Sequence, residues 1–193
     1  MKIILASASP RRRELMRLIT DDFTAVSVDA DESLPKNMNE AEIKGAAEYL
    51  ATVKAAKAHE LYPDDLVIGC DTTVVCDEKI IGKPGDKAQA REYLHMLSDS
   101  CHTVYTGCCI RFGEKEYSFS VGTDVFFNKL SDEEIEAYIS TDEPYDKAGG
   151  YGIQSRGALF VSRISGDFYN VVGLPVSELN KMLKKIIKEN DLI

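Results

Sequence analysis

Residues 66–84 read LVIGCDTTVVCDEKIIGKP, a pattern typical of a buried strand, a tight turn and a second strand. The carboxylate of Asp71 directly follows the apolar start, and the hydroxyls of Thr72 and Thr73 come next. An unpaired buried carboxylate costs roughly several kcal/mol, so Asp71 needs a cation, a metal ion or a water-filled cleft. Lys83 follows the turn, on a stiff loop between Gly82 and Pro84. From the spacing alone, a functional role for Asp71 and Lys83 is no better supported than a turn-capping aspartate with a solvated lysine.

The composition indicates an ordinary soluble globular chain that forms one α/β domain over residues 1–193, with 44% hydrophobic and 28% charged residues. A net charge of -9 argues against a general nucleic-acid binder, which needs a broad cationic surface. The five cysteines contain no Cys-x-x-Cys pair, which argues against a disulfide framework or structural zinc and favours a reducing, cytoplasmic setting. The short apolar start, followed by three arginines, does not predict export, and no run is long enough to span a membrane.

Three arginines, Arg11, Arg12 and Arg13, occupy the predicted first turn of a helix that Ser9 and Pro10 open. Cations there oppose the helix dipole, whereas an anion would be stabilised by the free backbone N–H groups. A strand, a serine-containing loop and guanidinium groups at a helix N-terminus together favour a phosphate-binding site. A solvated basic turn is the alternative.

Two other charged features are candidates for function. Asp29, Asp31 and Glu32 place three carboxylates within four residues, and such hard oxygen ligands suit Mg²⁺ or Mn²⁺, although an acidic surface loop has the same composition. In the helix predicted over residues 40–61, Lys54 falls at the centre of the apolar face, and Lys57 borders it. A lysine in that position either extends to the edge or reaches an anion, and the latter is favoured for Lys54.

Periodicity and turn residues predict the remaining elements. They are strands over residues 2–6, 23–28, 102–112 and 117–127, helices over 86–97 and 131–139, a hairpin of 158–164 with 168–172, and a last helix from 175. Residues 146–157 form a glycine-rich loop whose glycines permit close backbone approach to a ligand, with Lys147, Gln154 and Arg156 as donors. This loop matches neither the dinucleotide-binding nor the P-loop pattern.

Five motifs, in the same order, resemble the Maf family of nucleoside triphosphate pyrophosphatases. They are Ser7-Ala8-Ser9-Pro10-Arg11-Arg12, Gly69-Cys70-Asp71-Thr72, Gly82-Lys83-Pro84, Asp146-Lys147-Ala148-Gly149 with Tyr151-Gly152-Ile153-Gln154, and Gly173-Leu174-Pro175. The resemblance implies a fold related to the inosine triphosphatases, with a central mixed twisted sheet flanked by helices and two lobes around a cleft. It also implies a homodimer and metal-dependent cleavage of a nucleoside triphosphate into the monophosphate and pyrophosphate.

The resemblance further implies roles for particular residues. Arg11, Thr72 and Gln154 match the branch of the family that acts on dTTP and UTP. The residue patterns and the resemblance together predict Asp71 as general base or metal ligand, aided by Asp31 and Glu32. Ser9, Arg12 and Arg13 are expected to grip phosphate oxygens, and Lys54 and Lys83 to neutralise the β- and γ-phosphates. Arg11, Thr72 and Gln154 are expected to bind the pyrimidine edge by hydrogen bonds. Asp31 stands where the family commonly has glutamate, and Cys70 where it often has alanine. The alternative function is a nucleotide-binding regulator of cell division that does not turn its ligand over.

Overall fold

A computed structural model describes residues 1–190, in which the chain forms seven strands and six α-helices. The strands are β1 (Ile3–Ala6), β2 (Thr24–Val26), β3 (Leu66–Cys76), β4 (Lys79–Ile81), β5 (Cys101–Phe112), β6 (Lys115–Phe127) and β7 (Val161–Ser165). The helices are α1 (Pro10–Met16), α2 (Glu40–Leu61), α3 (Lys87–Leu97), α4 (Asp132–Ile139), α5 (Phe168–Val172) and α6 (Val176–Glu189). None of these helices has the length and apolarity needed to cross a bilayer.

All seven strands belong to one mixed sheet, in the order β2-β1-β3-β5-β6-β7, and β4 pairs with β3. The pairs of β1 with β2 and with β3 are parallel, whereas the pairs among β3, β4, β5, β6 and β7 are antiparallel. The predicted α/β fold with a central mixed sheet and flanking helices is therefore confirmed. The turn between β3 and β4 places Asp77 and Glu78 at positive φ, which is the geometry of a two-residue hairpin turn.

Helix α2 has the predicted bounds and lies directly against the sheet. Asn39 caps it, since its side chain accepts from the backbone N–H of Glu42 while the Glu42 carboxylate accepts from the backbone N–H of Asn39. The close approach requires glycine on the sheet, because a Cβ on Gly69 would lie 2.2 Å from Ala51 O and one on Gly107 would lie 2.3 Å from Glu48 N. The helix carrying Lys54 is therefore fixed over β3 and β5.

Residues 1–190 contain two large hydrophobic clusters and two small ones, and the two large ones draw on the same, even-numbered face of β3 and β5. One contains Leu94 of α3 and Ile135 of α4, and the other contains Leu15 of α1 and Leu179 of α6. Ile153, in the glycine-rich loop, packs against both of them. The loop is thereby anchored between the two large clusters.

Several predicted elements differ from the structure. The hairpin of 158–164 with 168–172 is wrong, because residues 168–172 form helix α5 and β7 pairs with β6 instead. Asp167 caps α5 by accepting from Tyr169 N at 2.8 Å, and the buried Asn170 side chain bonds β5 and β6, which stabilises the helix where aromatic and β-branched residues favour a strand. Strand β2, at Thr24–Val26, is shorter than the predicted strand over residues 23–28.

His102 on β5 makes the stability of the fold depend on pH. Burial lowers its pKa from 6.5 to about 4, and its ring nitrogen Nε2 lies 2.8 Å from Tyr151 Oη. Below about pH 6.5 the unfolded chain binds a proton at His102, whereas the folded protein binds it only below about pH 4. The contribution of His102 to stability is therefore complete above pH 6.5 and is lost as the pH falls. We expect the free energy of unfolding to fall by about 2 kcal/mol between pH 7 and pH 5 from this group alone.

Urea unfolding of the wild type and of His102→Phe at both pH values measures the effect. The wild type should lose about 2 kcal/mol more than the variant, since phenylalanine cannot titrate. Equal losses in both proteins would show that His102 does not carry this dependence.

Candidate active site

A cleft of about 960 Å³ opens at the point where the β3–β4 hairpin, the start of α1 and the glycine-rich loop meet. Its walls include Ser9, Arg11, Arg12, Glu32, Lys54, Asp71, Thr72, Lys83 and Gln154. Nine of the predicted site residues are therefore brought to one cavity from segments distant in sequence. Its size is that of a pocket for a nucleotide-sized ligand.

Two charged residues of the cleft, Lys54 and Asp71, are largely buried, with side chains 14% and 13% exposed. Lys54 Nζ lies 2.5 Å from Asp71 Oδ1 and 3.0 Å from Glu32 Oε2. Lys54 thus reaches two carboxylates, and Asp71 has the cation that its burial required. Because Glu32 also contacts the ammonium group, Lys54 keeps one ion-pair partner if the Asp71 carboxylate binds a proton or a ligand instead.

The three arginines of α1 have different surroundings. Arg12 donates to Gly173 O at 2.8 Å, to Thr72 Oγ1 at 3.0 Å and to Ser7 Oγ at 3.3 Å. Arg11 lies in the cleft and pairs with Asp146 at 3.4 Å. Arg13 donates to Ala8 O at 3.2 Å and is not among the residues that line the cleft. Arg12 therefore orders the wall, and Arg11 is the guanidinium better placed to meet a ligand.

Ser9 and Lys83 are two further hydrogen-bond donors that line the cleft. Ser9 is the N-cap of α1, and its Oγ accepts from Arg12 N at 3.4 Å. Lys83 is exposed on the loop after β4 and lines the cleft. Within residues 1–190 it forms no ion pair, so its ammonium group is available to an anionic ligand.

The glycine-rich loop is organised by Glu143, a residue that the sequence analysis did not identify. Its carboxylate accepts hydrogen bonds from the Tyr138 and Ser155 hydroxyl groups and from the backbone N–H groups of Arg156 and Gly157. Partial burial opposes ionisation of Glu143, but these bonds outweigh it and hold its pKa below the usual value. The exposed Gln154 therefore lies on a fixed loop at the edge of the cleft.

The backbone of the same loop needs two glycines. Gly149 and Gly150 have φ values of 74° and 69°, in the region that side chains disfavour, and a Cβ on Gly149 would lie 3.1 Å from Val74 Cγ2. Lys147 Nζ donates to Glu143 O at 2.8 Å and to Asp146 Oδ1 at 2.5 Å. Lys147 thus ties the loop to its own start.

The acidic residues fit a divalent cation only in part. Glu32 and Asp71 both direct a carboxylate oxygen at Lys54 Nζ, so two hard oxygen ligands converge on one cationic position. Asp31 is exposed, and its carboxylate accepts from its near neighbour Ser33 N at 3.0 Å. No group of three or more Asp, Glu, His or Cys side chains in residues 1–190 has the arrangement of a metal site. Two carboxylates are nevertheless enough for Mg²⁺, which takes its other ligands from water and substrate phosphates.

Comparison with known proteins gives consistent matches over almost the whole chain. A family model described as Maf-like protein matches residues 2–186. The dTTP/UTP pyrophosphatase of Bacillus cytotoxicus is 46% identical over 184 residues, and that of Bacillus cereus strain AH187 is 44% identical over 184 residues. Each alignment covers 95% of both chains. Among solved structures, the Staphylococcus aureus Ham1 protein is similar with a TM-score of 0.47 and 12% identity, over 66% of this chain and 72% of that one.

Proposed function

Because the chain belongs to the Maf family, we propose that it is a pyrophosphatase that hydrolyses UTP and dTTP to the monophosphate and pyrophosphate. The observation that carries this proposal is the Asp71 carboxylate, which is mostly buried in a nucleotide-sized cleft yet contacts Lys54 at 2.5 Å. A regulator that only binds nucleotides needs cationic residues such as Arg11 and Lys83, but it does not need a buried carboxylate paired with a lysine. The relatives named dTTP/UTP pyrophosphatase support the choice of base.

In the proposed mechanism, a water molecule attacks the α-phosphorus and gives its proton to Asp71. Lys54 holds the Asp71 carboxylate in place and offsets negative charge that accumulates beside it. Arg11, Ser9 and Lys83 contact the phosphate oxygens, and the charge that passes to the leaving pyrophosphate is stabilised by these donors. Arg12 and Arg13 contribute by ordering the start of α1, through their bonds to Gly173 O and Ala8 O.

The proposed cofactor is Mg²⁺ or Mn²⁺. Glu32 and Asp71 would hold the ion, and its charge would neutralise phosphate oxygens. Asp31 is left out of this set because it is exposed and lies outside the cleft lining. Asp71 can serve as ligand or as base, and Glu32 provides the second carboxylate in either case.

Base recognition is assigned to Thr72 and Gln154, which line the same cleft as Arg11. Thr72 presents a hydroxyl group from β3, and Gln154 presents an amide from the fixed loop. Hydrogen bonds to the edge of a base discriminate strongly, because a mismatched base leaves buried polar groups without partners.

The proposal extends to how the protein occurs in the cell. We propose that residues 1–193 form one domain, that two copies associate, and that the enzyme acts in the cytoplasm. Support comes from the five cysteines, which are all free thiols, and from the exposed large hydrophobic side chains of Leu159, Phe168 and Tyr169. Sedimentation of the purified protein as a monomer at micromolar concentration would overturn the dimer.

Product analysis tests the proposed function. Purified protein is incubated with Mg²⁺ and each common nucleoside triphosphate, and the products are separated by ion-exchange chromatography. We expect UMP or dTMP with an equal amount of pyrophosphate, no reaction in excess EDTA, and recovery when Mg²⁺ is restored. Binding of nucleotides without turnover, under Mg²⁺ or Mn²⁺, would instead identify a regulator.

A further inference from the structure

A chain of hydrogen bonds connects the cleft to the interior through Thr72. Its Oγ1 lies 3.0 Å from Arg12 Nη2 and 2.9 Å from Thr106 Oγ1 on the neighbouring strand β5. Thr106 Oγ1 in turn lies 2.9 Å from the backbone carbonyl oxygen of Asn170. Thr106 and Asn170 are both completely buried, whereas Thr72 lines the cleft.

The direction of each hydrogen bond in this series is set by the groups at its two ends, the Arg12 guanidinium and the Asn170 carbonyl oxygen. The carbonyl oxygen of Asn170 can only accept, so Thr106 gives it the one hydroxyl proton it has. Thr106 Oγ1 therefore has no proton for Thr72, and Thr72 must donate its own proton to Thr106. At the other end, the guanidinium of Arg12 can only donate, so Thr72 accepts from it.

The opposite direction would be costly because the groups are buried. If Thr106 donated to Thr72, two oxygen lone pairs would face each other at 2.9 Å and the buried carbonyl of Asn170 would lose this bond. Asn170 itself cannot turn away: its side chain accepts from Thr106 N at 3.1 Å and donates to Val104 O at 2.9 Å and Thr123 Oγ1 at 3.0 Å. Thr106 is therefore held in one orientation.

The consequence for the cleft is that Thr72 Oγ1 offers a ligand one lone pair and no proton. We propose that Thr106, anchored by Asn170, is a specificity-determining positioning residue that makes Thr72 an acceptor only. The N3–H of uracil and thymine donates to such an oxygen. The N3 of cytosine is itself an acceptor and is repelled by it. This inference rests on the proposed function, in which Thr72 meets the base.

Removing the Thr106 hydroxyl group tests the inference. In Thr106→Val the Thr72 proton loses its acceptor and is free to point into the cleft, where it can meet cytosine N3. We expect wild-type kcat/KM for UTP to exceed that for CTP by about tenfold or more, and the ratio to fall by about tenfold in Thr106→Val. Thr106→Ser keeps the hydroxyl group and should keep the wild-type ratio.

The ratio of the two substrates separates this role from a structural one. Both rates are measured on the same preparation, so any loss of folded enzyme cancels, and a merely destabilised variant keeps the wild-type ratio. An unchanged ratio in Thr106→Val, a loss in Thr106→Ser as large as in the valine variant, or wild-type turnover of CTP equal to that of UTP would each overturn the inference while leaving the pyrophosphatase intact. No turnover of UTP, dTTP or CTP by the wild type would overturn the proposed function and this inference with it.

Discussion

An Asp71→Asn variant should hydrolyse UTP about 100- to 10,000-fold more slowly in kcat than the wild type, because asparagine cannot take a proton from water. The variant should remain folded, since the amide has the shape of the carboxylate and Lys54 keeps Glu32 as a partner at 3.0 Å. Nucleotide affinity should change much less than kcat, because Arg11, Ser9 and Lys83 still line the cleft. Steady-state kinetics with UTP, together with nucleotide binding measured by calorimetry, separate the two quantities.

The matched control is Asp77→Asn, the same change in the turn of the same hairpin. Asp77 has a φ of 48°, a conformation that asparagine adopts readily, and it lies outside the cleft lining. Its activity should equal that of the wild type. Comparable activity in Asp71→Asn and Asp77→Asn would remove Asp71 from the mechanism.

A Gly107→Ala variant should lose at least about 3 kcal/mol of stability, or fail to fold, because overpacking against backbone cannot be relieved by a rotamer change. The new Cβ would lie 2.3 Å from Glu48 N and 2.4 Å from Ala47 C in helix α2. The helix must move away from the sheet, and Lys54 on that helix would move from Asp71. Activity should therefore fall along with the midpoint of urea unfolding.

Gly45→Ala, in the same helix, is the control of opposite sign. A Cβ there has no atom within 4 Å, and the residue is inside α2. Alanine should stabilise the protein by about 0.5–1 kcal/mol, since glycine is a poor helix former. A Gly107→Ala protein as stable as the wild type would contradict the close helix–sheet contact on which the position of Lys54 depends.

Much of the site could be predicted because its residues conflict with their local patterns. Asp71 follows an apolar strand and Lys54 interrupts an apolar helix face, so the sequence predicts an oppositely charged group beside each of them. Their pairing with one another could not be predicted, because it depends on how α2 crosses β3, and that is set by the small residues Gly69 and Gly107. Glu143 was missed for a related reason: three of its four partners lie in a loop 12 to 14 residues further along the chain, and no local pattern brings them to it.

The fold was predictable where periodicity and capping residues agree. Helix α2 has its predicted bounds, and α4 lies within the helix predicted over residues 131–139, with a capping box of Ser131 and Glu134 at its start. Residues 168–172 were wrongly predicted as a strand, because their aromatic and β-branched side chains have strand propensity. Their helix is stabilised by tertiary bonds of the buried Asn170, which outweigh that propensity. The Asn170 side chain donates to Val104 O and Thr123 Oγ1, and the sequence does not reveal that these atoms lie next to residues 168–172.

The most direct test of the proposed mechanism is the fate of water oxygen during hydrolysis of UTP in water enriched in ¹⁸O. Attack at the α-phosphorus places one ¹⁸O atom per turnover in UMP and none in pyrophosphate, as mass spectrometry of the separated products would show. Label in pyrophosphate would mean attack at the β-phosphorus, and UDP with labelled phosphate would mean attack at the γ-phosphorus. Either result would contradict a pyrophosphatase that uses Asp71 to activate water at the α-phosphorus.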